Sequence, residues 1–221
     1  METIELPEEF LGAIIDGDYK EVQGILLKET FTQYEFIEAL NTSILCKKGT
    51  IAFALLTKIN NVNEVAPKQD SPLQMATSMG NYTMVVQLVS LGATINLSGN
   101  RLQPILNAIL AENYMIVAYL LLHGAKMDGA AQFMLKTTFP RDCHILTKLY
   151  SRIQFINKIP VKYKSEVEGL KSLITLGNLS ESLDMFDSAY SALRDKHSGI
   201  RLSKSSLVKK TKTTLPELPI D

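Results

Sequence analysis

Residues 70–96 read DSPLQMATSMGNYTMVVQLVSLGATIN, and this stretch decides the fold. It opens at Ser71-Pro72, and proline is accepted in the first turn of a helix because no backbone donor is missed there. A short apolar helix pattern runs on to Met79-Gly80-Asn81. A second, more apolar run follows, Met84-Val85-Val86 with Leu88-Val89, and closes at Leu91-Gly92-Ala93. Glycine at that point suits the left-handed residue that ends many helices. Two short helices joined by a tight turn cannot bury their apolar faces alone, so copies of the unit are expected beside it.

The copies are visible. A shift of 32 places Pro72 on Pro104, Ala76 on Ala108, Asn81 on Asn113 and Tyr82 on Tyr114. The same shift places Val85 on Val117, Leu88 on Leu120, Gly92 on Gly124 and Ala93 on Ala125. Upstream by 63, Ala13 falls on Ala76, Gly17 on Gly80, Tyr19 on Tyr82, Val22 on Val85 and Ile25 on Leu88. That distance is two periods, so a further copy must lie between. Residues 29–66 supply a degenerate one, in which Leu55-Leu56 match Leu88-Val89 and Val62-Asn63 match Ile95-Asn96 at a shift of 33. Downstream, Ile145, Leu146 and Leu149 match Ile116, Val117 and Leu120 at a shift of 29, a shortened closing unit with Ala130–Lys136 as its inner helix.

A period near 33 with Ser-Pro-Leu-x-x-Ala and Gly-Ala-x-x-Asn resembles the ankyrin repeat, whose wording is T-P-L-H-x-A followed by G-A-x-x-N. The resemblance covers roughly residues 5–158. It implies an all-α ankyrin-repeat solenoid of about four to five helix-pair units with β-hairpin fingers. The segment from Asn60-Asn61-Val62-Asn63 through Pro67 to Asp70 stands where the family has such a finger. Gln74 and Asn107 replace the usual His, which is expected to remove a bond between neighbouring loops and leave modest stability.

Charge and composition set further bounds. The 23 basic and 23 acidic residues cancel, which argues against a general attraction to nucleic acid or anionic membrane. Hydrophobic residues make up 46%, enough to bury a core. No apolar run approaches the roughly 18 residues of a membrane span. The acidic opening METIELPEEF has no signal-peptide pattern, and Cys46 and Cys143 form no CxxC pair, so free thiols in a reducing compartment are expected. The cytoplasm is the expected location, with the nucleus as a second.

Beyond residue 158 the character changes. Residues 159–197 predict two amphipathic helices, Glu166–Leu176 and Ser180–Leu193, packed as a C-terminal cap on the stack. Ser182 and Phe186 give the second a faint similarity to the later half of a tetratricopeptide repeat. Residues 198–221 form a tail with Arg201, Lys204, Lys209, Lys210 and Lys212 among Ser and Thr. Disorder is expected there, an import or phosphorylated segment being the alternative.

No catalytic, cofactor or metal site emerges. Asp142-Cys143-His144 places its side chains about 100° apart on a helix, and the three His have no ligand spacing. Gly124-Ala125-Lys126 lacks the glycine-rich lead of a phosphate loop. The resemblance instead implies a non-enzymatic adaptor, a monomer that binds one or more proteins through hairpin tips and the concave inner-helix face. On this chain those positions are Lys68, Gln69 and Asp70 at one tip and Asn100, Arg101 and Leu102 at the next. Ser78, Met79 and Leu110 end the inner helices. The alternative is a targeting arm whose C-terminal helices recruit an enzyme such as a ubiquitin ligase, offering Leu183, Phe186 and Leu193.

Overall fold

The computed structural model describes residues 6–65, 69–98, 102–159 and 163–196. Among them the chain is all-helical and contains no strand. It divides into two compact units, Met1–Phe155 and Ile156–Asp221.

The first unit is a series of helix pairs. They are α1 (Glu8–Asp16) with α2 (Tyr19–Lys28), α3 (Gln33–Leu45) with α4 (Gly49–Leu56), α5 (Pro72–Ser78) with α6 (Tyr82–Ser90), α7 (Pro104–Leu110) with α8 (Tyr114–Leu122), and α9 (Gly129–Thr138) with α10 (Cys143–Ile156). The first members pack in succession, α1 on α3, α3 on α5, α5 on α7 and α7 on α9, and form an inner row. The second members form an outer row in which α2 meets α4 and α6 meets α8.

One backbone device closes the first four pairs. One or two residues past the end of the inner helix the chain turns left-handed: Gly17 (φ 83°), Lys47 (φ 59°), Gly80 (φ 65°) and Glu112 (φ 52°). The next N–H then reaches back five residues to a carbonyl, from Asp18 to Ala13 (3.0 Å), Lys48 to Ser43 (2.8 Å), Asn81 to Ala76 (2.9 Å) and Asn113 to Ala108 (3.1 Å). Those four acceptors are small and fully buried, which lets the inner helices approach closely. Ser43 is therefore the small residue of the degenerate copy, and its hydroxyl is satisfied by Leu40 O at 2.7 Å. Asp18, Asn81 and Asn113 go on to cap the outer helices through the N–H groups of Glu21, Met84 and Ile116. Val22, Val85 and Val117, on α2, α6 and α8, are all fully buried in equivalent places.

The expected β-hairpin fingers are absent among the described residues, which corrects that part of the fold expectation. A hairpin needs two stretches with free backbone groups to pair in a ladder. Here side chains and local turns hold those groups instead. Asn63 spans to the next loop, donating to Gly92 O (2.9 Å) and accepting from Thr94 N–H (2.7 Å). Asn96 repeats the pattern one unit on, with Gly124 O (3.0 Å) and Lys126 N–H (2.8 Å). The Gln103 side chain takes both the N–H and the C=O of Leu97 (2.9 and 3.0 Å). Residues 60–65 are tied locally, with Glu64 N–H on Asn61 O and Asn63 N–H on Asn61 Oδ1.

The degenerate pair departs in a second way. Its inner helix α3 has 13 residues where α5 and α7 have 7 each. The extra length fastens the connection to the next pair: Gln33 Oε1 accepts from Asn60 N–H (3.2 Å), Glu38 takes the Gln69 amide, and Asn41 Nδ2 donates to Asp70 O (2.9 Å).

The second unit contains α11 (Lys164–Lys171), a 3-10 turn at Leu176–Asn178 and α12 (Leu179–Lys196). The α11 helix stops five residues before the Leu176 expected from sequence. Leu179, Leu183 and Phe186 form a buried stripe on α12, and Ser182 Oγ donates to Leu179 O at 3.1 Å. The tail 198–221 lies outside the described residues.

Candidate protein-binding surface

The loop-tip positions Lys68, Asn100 and Arg101 lie outside the described residues. The other tip residues serve the stack. Gln69 is half-buried and donates to the Glu38 carboxylate. Asp70 exposes its carboxylate while its carbonyl accepts from Asn41. Leu102 is 48% exposed, and its carbonyl accepts from Gln74 Nε2 at 2.9 Å.

That last bond corrects the expectation that losing His at Gln74 removes the brace between loops. An amide carries it instead, and carries it periodically: Asn41 to Asp70 O in one pair, Gln74 to Leu102 O in the next. Gln74 Oε1 also accepts from Ser71 N–H (2.9 Å) and completes a capping box with the Ser71 hydroxyl. Asn107, the third residue of this register, donates back to Gln74 O at 3.2 Å.

The inner-helix ends behave differently. Ser78 is exposed, with its hydroxyl returned to Met75 O (2.9 Å), and Met79 is half-buried as the C-cap of α5. Leu110 is 59% exposed. Both Ser78 and Leu110 stand two residues before the left-handed turn. The same position in the first two pairs holds Ile15, 48% exposed, and Leu45, 52% exposed. Three of the four inner helices that end in this turn thus present a large aliphatic side chain to solvent at one repeated place. Sequence reasoning missed Ile15 and Leu45, each of which follows a buried isoleucine, Ile14 and Ile44. The signal was available in the register: counting back two from Gly17 and Lys47 finds both.

Two open clefts flank the inner helices' starts. One, about 410 Å³, is lined by Asn96, Gln103, Ile105, Lys126 and Asp128 among others; the second, about 350 Å³, by Asn63, Ser71, Thr94 and Leu97. Their polar walls are largely the loop-bracing groups already described. Two phenols are perturbed. Burial raises the pKa of Tyr114, with a smaller push from the Asp142 carboxylate; burial also raises Tyr119, aided by Tyr82. Both face aromatic neighbours, Tyr114 edge-on to Phe139 at 6.1 Å and Tyr119 edge-on to Tyr82 at 5.7 Å. His123 lies against the Tyr119 ring, with Nδ1 at 2.8 Å from Tyr119 O.

The fold and this surface define an all-helical chain of packed helix pairs with an exposed aliphatic row. No known family model matches the chain, and no curated protein is significantly similar to it. No helix among the described residues is long and apolar enough to cross a membrane.

Proposed function

We propose that the helix pairs of the first unit form an ankyrin-like, non-enzymatic module that binds another protein through its inner-helix ends. One observation carries this reading: Ile15, Leu45 and Leu110 stay exposed at the same position of successive packed inner helices. An aliphatic side chain left in water at a single place is ordinary, whereas the same place used repeatedly makes a patch that a partner can cover. The amides of Asn41, Asn63, Gln74 and Asn96 are committed to bonds within the stack. Work in the cytoplasm accords with the half-buried free thiols Cys46 and Cys143.

The alternative, a recruiting α11–α12 pair, needs Leu183, Phe186 and Leu193 at the surface. Leu183 and Phe186 are fully buried and Leu193 is half-buried, and this weighs towards the first reading. The test is affinity capture from a native lysate with the full chain and with the L45S/L110S variant. The proposal expects the variant to lose a specific captured protein while its melting temperature stays within a degree or two. Undiminished capture by the variant would overturn it.

A further inference from the structure

We infer that the aliphatic row receives a basic amphipathic helix of a partner protein. The inference rests on the binding reading above and adds the chemistry of the occupant. Its length scale comes from the stack. Axes of helices packed side by side lie about 8–10 Å apart, so the row advances by about that distance per unit. Two turns of an α-helix, seven residues, advance about 10.5 Å and return a side chain to the same face. An extended strand covers the distance in about three residues, and an odd step sends successive side chains to opposite faces. An occupant with an aliphatic residue every seventh position therefore meets Ile15, Leu45 and Leu110 in turn. At α5, Ser78 leaves a polar step beside half-buried Met79.

Charge selects the rest of the occupant. The four inner helices that span the row, α1, α3, α5 and α7, contain Glu8, Glu9, Asp16, Glu35 and Glu38 and no Lys, Arg or His; α9, beyond the row, adds Lys136. This imbalance sits in a chain whose 23 basic and 23 acidic residues cancel overall. Glu8 and Glu38 each precede the exposed aliphatic residue of their helix by seven positions, Ile15 and Leu45, and so share its face. Glu8 is exposed; Glu38 is half-buried and shared with the Gln69 amide. On the other flank of the row the charges are mixed, with Asp16 and Asp18 beside Ile15, Lys47 and Lys48 beside Leu45, and Glu112 beside Leu110. The Lys48 ammonium there donates to Asp16 O at 3.1 Å. A partner helix with Lys or Arg along the flank facing Glu8 and Glu38 is favoured, and an acidic one is repelled.

The experiment titrates the full chain with a synthetic amphipathic peptide, leucine on one face and lysine on the other. A matched peptide carries glutamate in place of lysine, and each is measured by calorimetry at low and high salt. The lysine peptide is expected to bind at least about tenfold more tightly than the glutamate peptide, and to weaken at high salt. L45S/L110S should weaken it about tenfold or more. L27S should leave it unchanged, because Leu27 is 88% exposed on α2 and lies off the row. Equal loss in L27S would mean general adhesion, and equal binding of both peptides would mean that charge selects nothing; either overturns the inference. So does sedimentation showing that the full chain alone pairs through Leu45, which would make a second copy the occupant. If L45S/L110S loses the captured cellular protein while the two peptides bind alike, the binding reading stands and only the basic helix falls.

Discussion

Asn63 and Asn96 do the same task one period apart, and each does it with both ends of its amide. A hydrogen bond of this kind contributes about 0.5–1.5 kcal/mol net, less where water competes. Replacing either Asn with Ala should therefore cost about 1 kcal/mol in urea unfolding. Asp at the same site keeps the acceptor and loses the donor, so it should recover only part of that loss. The left-handed turn residues allow a test of opposite sign. Glu112 holds φ 52° with a β-carbon, whereas Gly80 holds φ 65° without one. A side chain in that region costs about 1–2 kcal/mol. Glu112→Gly should stabilise the chain by about 0.5–1 kcal/mol after the unfolded-state entropy is counted, and Gly80→Ala should destabilise it by at least as much. Matching signs for the two would show that the turn geometry is not what limits these positions.

At the scale of elements, the helix pairs were legible because their signals are local. Pro72 and Pro104 open α5 and α7, Asn81 and Asn113 cap α6 and α8, and the left-handed Gly92 and Gly124 follow α6 and α8. The absence of hairpin fingers among the described residues was not legible, because a finger depends on whether loop backbone groups remain free, and side-chain amides took them, Asn63 on the next loop and Gln103 six residues back on Leu97. The brace at Gln74 was misread for a related reason: an amide stands where a His was expected, and its hydrogen-bonding capacity serves the same bond. Within the candidate surface, Ser78, Met79 and Leu110 were found as inner-helix ends, but Ile15 and Leu45 were hidden by the Lys47-Lys48 turn and by apolar neighbours. The outer helix α8 also predicts an alkaline response. Tyr114 opens it with a phenol whose pKa is raised above the ordinary 10.0 by burial first and by Asp142 second. A folded-state pKa above the unfolded one contributes stability that is complete below about pH 10 and is lost as pH rises through the folded value. Thermal unfolding followed from pH 8 to 11 should show a shallower alkaline decline in Tyr114→Phe than in the parent chain; parallel declines would remove Tyr114 from the cause.

Among the first four helix pairs, the weakest seam should lie between the second and third. Stability in a stack of this kind is close to a sum of unit terms and nearest-neighbour terms, so one thin interface limits cooperativity. The outer row supplies contact between α2 and α4 and between α6 and α8, yet α4 and α6 do not form a comparable pair. Across that seam the chain relies on the packing of α3 on α5, on the Asn41 bond to Asp70 O, and on the Asn63 clasp of the next loop. Asn41 is itself a weak joint, since its Nδ2 makes the bond while its Oδ1 is buried without a partner, a cost that offsets part of the gain. Leu88, by contrast, is fully buried on α6, which packs on α5 and α8. Truncating it to Ala should cost about 2–5 kcal/mol without changing how the halves couple. Asn41→Ala combined with Asn63→Ala should do the reverse, lowering stability modestly while splitting the unfolding transition. Hydrogen exchange would then show the amides of α1–α4 opening at lower free energy than those of α5–α8, in two groups where the parent shows one. A single sharp transition with uniform exchange in the double variant would place the coupling in the α3–α5 contact alone, and the side-chain bonds across the seam would be ornaments of a joint that apolar packing already secures.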